Sequence, residues 1–274
     1  MMQAASRGSL AVAREQLDTL VAGEDIEALV RLGEQLRDTA RLLVDQATLR
    51  RALADASAPA AARVGLLDGL LGDRLADPTL RVLRGVVSAR WSRSDDLVDA
   101  VETLTWLAML AVAEKDGSLE DVEDELFRFG RILDGQPQLD QLLTDPTAPA
   151  DRRAEFLGSL ISSRVSPVTA RLLDQVVRMP RGRSLDAVAA ELAELAAARR
   201  DRYVARVTAP AVLGAEQERR LAAALSRVYG RAISLQVDVE AGLLGGLVVR
   251  VGDEIIDGSV SGRLDAARHR LASG

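Results

Sequence analysis

The chain has 274 residues, 48% of them apolar and 28% charged, with aromatics at 3% and no cysteine. That length suits two domains with cores of their own, and the composition excludes collagen-like, disordered and disulfide-stapled classes. Lys and Arg total 35 against 41 Asp and Glu, a net charge of -6, so the overall field does not favour a polyanion and nucleic acid is not expected as the main ligand.

Ala, Leu, Val and Arg dominate, and unbranched side chains lose little rotamer freedom in a helix, so the chain should be mainly α. Residues Met1 to Arg14 lack a basic segment followed by an apolar one. The longest apolar run, Trp106 to Ala113, is too short to span a bilayer. The expectation is a cytoplasmic protein that meets a membrane only through something else. Leu10 to Val21 reads as a first helix that Gly23 can stop, and Ile26, Leu29, Val30, Leu36 and Leu43 keep one face of a second.

From here the sequence repeats. Leu42 to Leu71 lies on Ile132 to Ile161 at an offset of 90 without a gap. The identical pairs include Leu43/Leu133, Leu49/Leu139, Leu53/Leu143, Asp55/Asp145, Pro59/Pro149, Arg63/Arg153, Leu67/Leu157 and Leu70/Leu160. Weaker matches run from Leu29/Leu119 to Val87/Val177. Pro59, Pro78 and Pro149 mark helix starts, since a proline in the first turn removes an N–H that has no partner there. With Leu97 to Val112 added, the first copy reads as about six helices with short connections. Leu119, Val122, Leu126, Phe129 and Leu133 open the second copy. Trp91, Trp106, Phe127 and Phe129, spaced among Leu and Val, are expected in the core. The cations Arg178, Arg181, Arg183 and Arg199, Arg200, Arg202 are expected on solvated faces.

After a helix over Ser184 to Arg200 the period changes to two. Ile233, Leu235, Val237 and Val239 alternate with polar residues, which gives a half-buried strand. Tyr203 to Thr208 is a partner strand, Ala215 to Tyr229 a helix that Gly230 stops, and Leu247 to Val251 with Glu254 to Ile256 a hairpin around Gly252-Asp253, where a type II′ turn is expected. In Asp257-Gly258-Ser259, Gly258 is expected at positive φ, turning the chain into a last helix through Val260, Leu264, Ala267 and Leu271. The predicted domains are residues 1–112 and 113–200, two helical bundles, and residues 201–274, a small α+β domain.

No catalytic constellation is present. Gly242, Gly245 and Gly246 precede a strand and no Gly-Lys-Ser/Thr follows, so they are not a phosphate loop. His269 stands without a second His, a Cys or a carboxylate partner, and Lys115 is the only lysine. Neither a metal nor a cofactor is expected.

The run Gly245-Gly246-Leu247-Val248-Val249-Arg250-Val251-Gly252-Asp253-Glu254-Ile255-Ile256-Asp257-Gly258-Ser259-Val260 resembles the C-terminal signature of the delta subunit of bacterial F-type ATP synthase, a relative of the mitochondrial oligomycin sensitivity conferring protein. The strand, helix, strand order before it is similar too. The resemblance implies a non-catalytic stator subunit, peripheral on the cytoplasmic face of the cell membrane, without a small-molecule substrate. Its helical bundle would grip N-terminal segments of the alpha subunits. Its C-terminal domain, carrying Gly245, Gly246, Gly252, Asp257, Gly258 and Ser259, would meet the b subunit of the peripheral stalk. Typical members resemble this chain with one helical copy removed, and longer members that carry the extra copy look like those of high-GC actinobacteria. Which copy holds alpha stays open. Without the resemblance, the residues describe a helical-repeat scaffold or peptide-binding adaptor, with an enzyme built around Asp257 and the glycine loop as the other alternative.

Overall fold

A computed structural model of the chain describes residues 2–161, 164–201, 204–229, 233–240, 242–243, 245–251 and 254–260. Among these, twelve helices and four strands divide between two units, residues 1–196 and 197–274. The chain is mainly α, with the small mixed sheet near its C-terminal end.

In the first unit the helices are α1 (Ala4–Gly23), α2 (Ile26–Asp45), α3 (Ala47–Ala54), α4 (Ala60–Leu71), α5 (Asp77–Ser88), α6 (Ser94–Asp116), α7 (Leu119–Asp134), α8 (Pro137–Thr144), α9 (Ala150–Ile161) and α10 (Pro167–Arg178), and α11 (Leu185–Asp201) begins there. Moved by 90 residues, α3, α4 and α5 coincide end to end with α8, α9 and α10. The local chemistry moves with them. Asp55 Oδ1 accepts the Ser57 N–H and hydroxyl at 2.9 and 2.6 Å, and Asp145 Oδ1 accepts those of Thr147 at 2.8 and 2.7 Å. These bonds hold both carboxyls below the usual carboxylate range. Gln35 accepts the Ala76 N–H before α5 at 3.0 Å, and Glu125 accepts the Ser166 N–H before α10 at 2.9 Å. Arg63 and Arg153 are both buried, and at the end of the helix that follows its own Arg63 donates to the Ser88 and Ala89 carbonyls and Arg153 to the Arg178 carbonyl.

The same shift carries α1 onto α6 and α6 onto α11, so the copies share a helix. α6 packs against α1, α2, α3 and α5 of the first copy and against α7 and α10 of the second. From Leu97 to Ala113 every residue except Asp99 is buried, as a helix surrounded on all sides requires. It ends at Gly117, whose φ of 81° lets the Ser118 N–H reach the Ala113 carbonyl at 2.8 Å. The expected boundary at residue 112 falls inside α6, and one hydrophobic cluster runs from Ala13 to Ala196. The two bundles are one unit because neither can close without the helix they share.

The second unit holds β1 (Val204–Ala209), α12 (Ala215–Tyr229), β2 (Ser234–Val239), β3 (Val248–Val251) and β4 (Glu254–Asp257), in the sheet order β2-β1-β3-β4. β1 pairs parallel with β2, and α12 supplies the crossover that parallel pairing needs. Ala205, Val207, Leu225, Ile233, Val249 and Val251 form its core. β3 and β4 are antiparallel with Val251 opposite Glu254, which leaves a two-residue connection as the hairpin reading requires. The turn conformation at Gly252-Asp253, and the last helix beyond Val260, lie outside the described residues.

Candidate functional site

Five of the six signature residues come together in one clasp, and Gly252 lies outside the described residues. Gly245 and Gly246 have φ of 139° and 82°, a region L side chains rarely enter. A Cβ on Gly246 would stand 2.8 Å from the Ser259 Cα and closer still to the Gly258 carbonyl oxygen. The Gly258 N–H donates to the Leu247 carbonyl at 2.9 Å and the Val260 N–H to the Gly245 carbonyl at 2.9 Å. Asp257 Oδ1 accepts the Ser259 N–H at 2.8 Å. Hydrogen bonding from Ser259, first through its side chain and then its backbone, keeps the exposed Asp257 carboxyl below its ordinary range.

The expected positive φ at Gly258 is corrected here: the left-handed residues are Gly245 and Gly246. Gly258 is restricted by space instead, since a Cβ there would lie 3.2 Å from the Leu247 carbonyl oxygen. The glycine pair bends because the Gly258-Ser259 backbone lies directly against it. This is a structural fastening, with its polar groups turned on one another. Beside it, Tyr229 donates to Glu254 at 2.8 Å and ties α12 to β4. Burial first, and then the Glu254 carboxylate, push the Tyr229 hydroxyl pKa up.

In the helical unit Trp91, Trp106 and Phe129 are buried as expected, whereas Phe127 is exposed. The cation cluster of residues 178–183 is not a solvated face. Arg181, at φ 54°, and Arg183 both donate to Glu102, which is 1% exposed on α6, and Arg183 lies over the Trp106 ring at 5.3 Å. Burial raises the Glu102 pKa while both guanidiniums pull it down. Arg199 is likewise buried, and Arg202 lies outside the described residues. Arg181 and Arg183 are drawn inward because α6, serving two bundles, carries Glu102 into a packed interior.

A cleft lies between the copies. α2 forms one wall, α9 and α10 the other, and Thr105 and Met109 of α6 line the floor. It encloses about 450 Å³ and adjoins a second space of about 630 Å³, with Arg37, Asp174 and Gln175 lining both. Gly33 permits this geometry, because a Cβ there would come within 2.7 Å of the Met109 sulfur. Arg171 of the second copy bonds Glu34 of the first at 2.9 Å. Sequence reasoning missed this cleft. Its signal was the substitution of Gln175 for the equivalent Gly85, a large polar residue where the first copy has no side chain.

The model of the family described as ATP synthase delta (OSCP) subunit matches residues 107–271. The chain belongs to this family. The ATP synthase subunit delta of Streptomyces griseus subsp. griseus is 46% identical over 271 residues, 99% of this chain and 100% of that one. That of Frankia alni is 48% identical over 275 residues, covering 98% and 99% of the two chains. Such actinobacterial relatives share the full length, first copy included, whereas the delta (OSCP) family model begins within α6. A chain of the Toxoplasma gondii mitochondrial ATP synthase hexamer aligns with 62% of this chain and 97% of its own at 24% identity, with a TM-score of 0.34, too faint a likeness to add to the assignment. Membership makes the protein a subunit of an ATP synthase, and a non-catalytic one. Among the described residues, no helix is long and apolar enough to cross a membrane.

Proposed function

We propose that the chain is a stator element of the rotary synthase, joining the catalytic head to the b-subunit stalk at the cytoplasmic face of the membrane. The helical unit holds N-terminal segments of the alpha subunits, and the C-terminal unit, closed by the glycine clasp, meets b. Beyond family membership, the observation that supports this reading is the single core running through residues 13–196 around α6. A stator must resist rotational strain, and a packed interior of low compressibility transmits strain where two loosely tethered bundles would yield. Removal of the chain from the assembled synthase tests the reading: proton-driven ATP synthesis is lost and returns when the full chain is added back, while ATP hydrolysis by the isolated head is unchanged. Full coupled synthesis in its absence refutes it.

A further inference from the structure

The two copies close in the same way, and this exposes the chain to error. α5 runs into a short connection at residues 89–93 and α10 into its equivalent at residues 179–183. The helices that deliver these connections carry the same apolar faces, since Leu83/Leu173, Val86/Val176 and Val87/Val177 are identical and buried in both copies. The helices that receive them are alike too: α1 and α6 share Leu17/Leu107 and Leu20/Leu110. Apolar packing alone cannot tell which connection belongs on which helix, and misassembly between like units is the characteristic failure of repeated folds.

The fastenings differ in chemistry instead. α1 offers neutral groups: the Ser9 hydroxyl donates to the Arg90 carbonyl at 2.7 Å, and the Ser6 hydroxyl oxygen accepts the Ser92 N–H at 2.9 Å. Between them Trp91 is buried and donates its indole N–H to the Val86 carbonyl at 2.9 Å. In the second copy Arg181 stands in the place of Trp91, and α6 carries Asp99 and Glu102 where α1 has Ser9 and Val12. Arg181 donates to both carboxylates and Arg183 donates to Glu102 at 2.6 Å. Arg181 is also the one non-glycine residue at positive φ among the described residues, a conformation its surroundings must impose. A buried ion pair adds little stability over an apolar replacement, and its best-attested use is to fix register.

We propose that Asp99, Glu102, Arg181 and Arg183 form a pairing code that directs the second copy to close on α6 and the first to close on α1. Docked on α1, residues 179–183 set two guanidiniums against Ser9 and Val12 and leave Glu102 without a cation. Docked on α6, residues 89–93 set the Trp91 ring against that same carboxylate. Either error strands a charge, and a buried charge that has lost its partner is strongly unfavourable. The code works by penalising the wrong pairing as much as by rewarding the right one.

The test is refolding of the full chain from denaturant. Its readout is the fraction recovered as monomer with the Leu185 N–H protected from exchange, because that group donates to Asp140 of α8 at 2.7 Å as α11 begins. Val12 is 53% exposed, so substituting it disturbs no core. Val12→Glu gives α1 an acidic seat of its own and should cut the recovered fraction at least threefold, whereas Val12→Gln, of the same size without the charge, should leave it unchanged. The triple variant Glu102→Leu, Arg181→Leu, Arg183→Leu should melt as high as the unsubstituted chain and yet recover at least threefold less, a combination that a merely stabilising cluster does not give. Recovery of Val12→Glu equal to that of Val12→Gln overturns the code. A triple variant that melts lower but refolds completely also overturns it, and marks the cluster as an ordinary fastening. Where the triple variant does not fold, the Val12 pair decides alone.

Discussion

Gly246 must be glycine for two reasons at once, a φ of 82° and a Cβ position occupied by the Gly258-Ser259 backbone, whereas Gly258 meets only one near contact at 3.2 Å. Gly246→Ala should therefore destabilise the C-terminal unit by about 1–3 kcal/mol, the range for a residue held in a disfavoured backbone region. Gly258→Ala should cost less, because a shift of a few tenths of an ångström relieves it. Hydrogen exchange at the Gly258 and Val260 amides, whose bonds close the clasp, ranks the two variants; equal protection in both would refute the ordering. Asp257 gives the clasp a pH dependence of definite sign. Its carboxyl titrates lower folded than unfolded, so its stabilisation is present above the unfolded value and is lost as pH falls through the folded one. Ser259 amide exchange should accelerate on acidification below the ordinary carboxylate range. Asp257→Asn, which keeps an acceptor but no charge, should flatten that dependence.

At the scale of elements the shared helix decides most. Leu104 on α6 is 0% exposed inside a helix that both copies require. Leu104→Ala should cost about 2–5 kcal/mol and lower the melting of α1–α5 and α7–α10 together. Tryptophan fluorescence follows this, since Trp91 and Trp106 are both buried in the one core; a first copy that melts separately from the second would show that α6 does not couple them. The same helix explains what was legible in the sequence. Positions with one environment repeat: Leu53/Leu143, Leu67/Leu157 and Arg63/Arg153 are identical and buried in both copies. α1 and α6 match only at Leu17/Leu107 and Leu20/Leu110, because one covers a single bundle with a stripe and the other is enclosed all round. That difference hid the shared helix and suggested a boundary at 112. The clasp was half legible. The glycines and the Asp-Gly-Ser turn could be placed in one motif, but which glycine is left-handed depends on the backbone of Gly258-Ser259 folding back against Gly246, a contact between segments that no local pattern records.

The molecule as a whole has two cores without shared members, one from Ala13 to Ala196 and one around Val207 and Leu225. Independent cores imply independent transitions. At about 0.7 kcal/mol per residue near 60 °C, the helical unit should melt with roughly 140 kcal/mol and the C-terminal unit with roughly 55. Gly246→Ala then separates the two roles in the working complex. The smaller calorimetric transition should move down by several degrees while the larger stays in place, and the chain should keep its hold on the catalytic head. ATP hydrolysis by the isolated head should not change. Proton-driven synthesis in reconstituted vesicles should fall, because the weakened unit is the one proposed to meet the b stalk, and a stator fastened at one end only cannot hold the head against rotation. If the smaller transition moves as expected while b binding and coupled synthesis remain complete, the C-terminal unit is not the stalk contact. If head binding fails while b binding persists, the two units carry the reverse assignment.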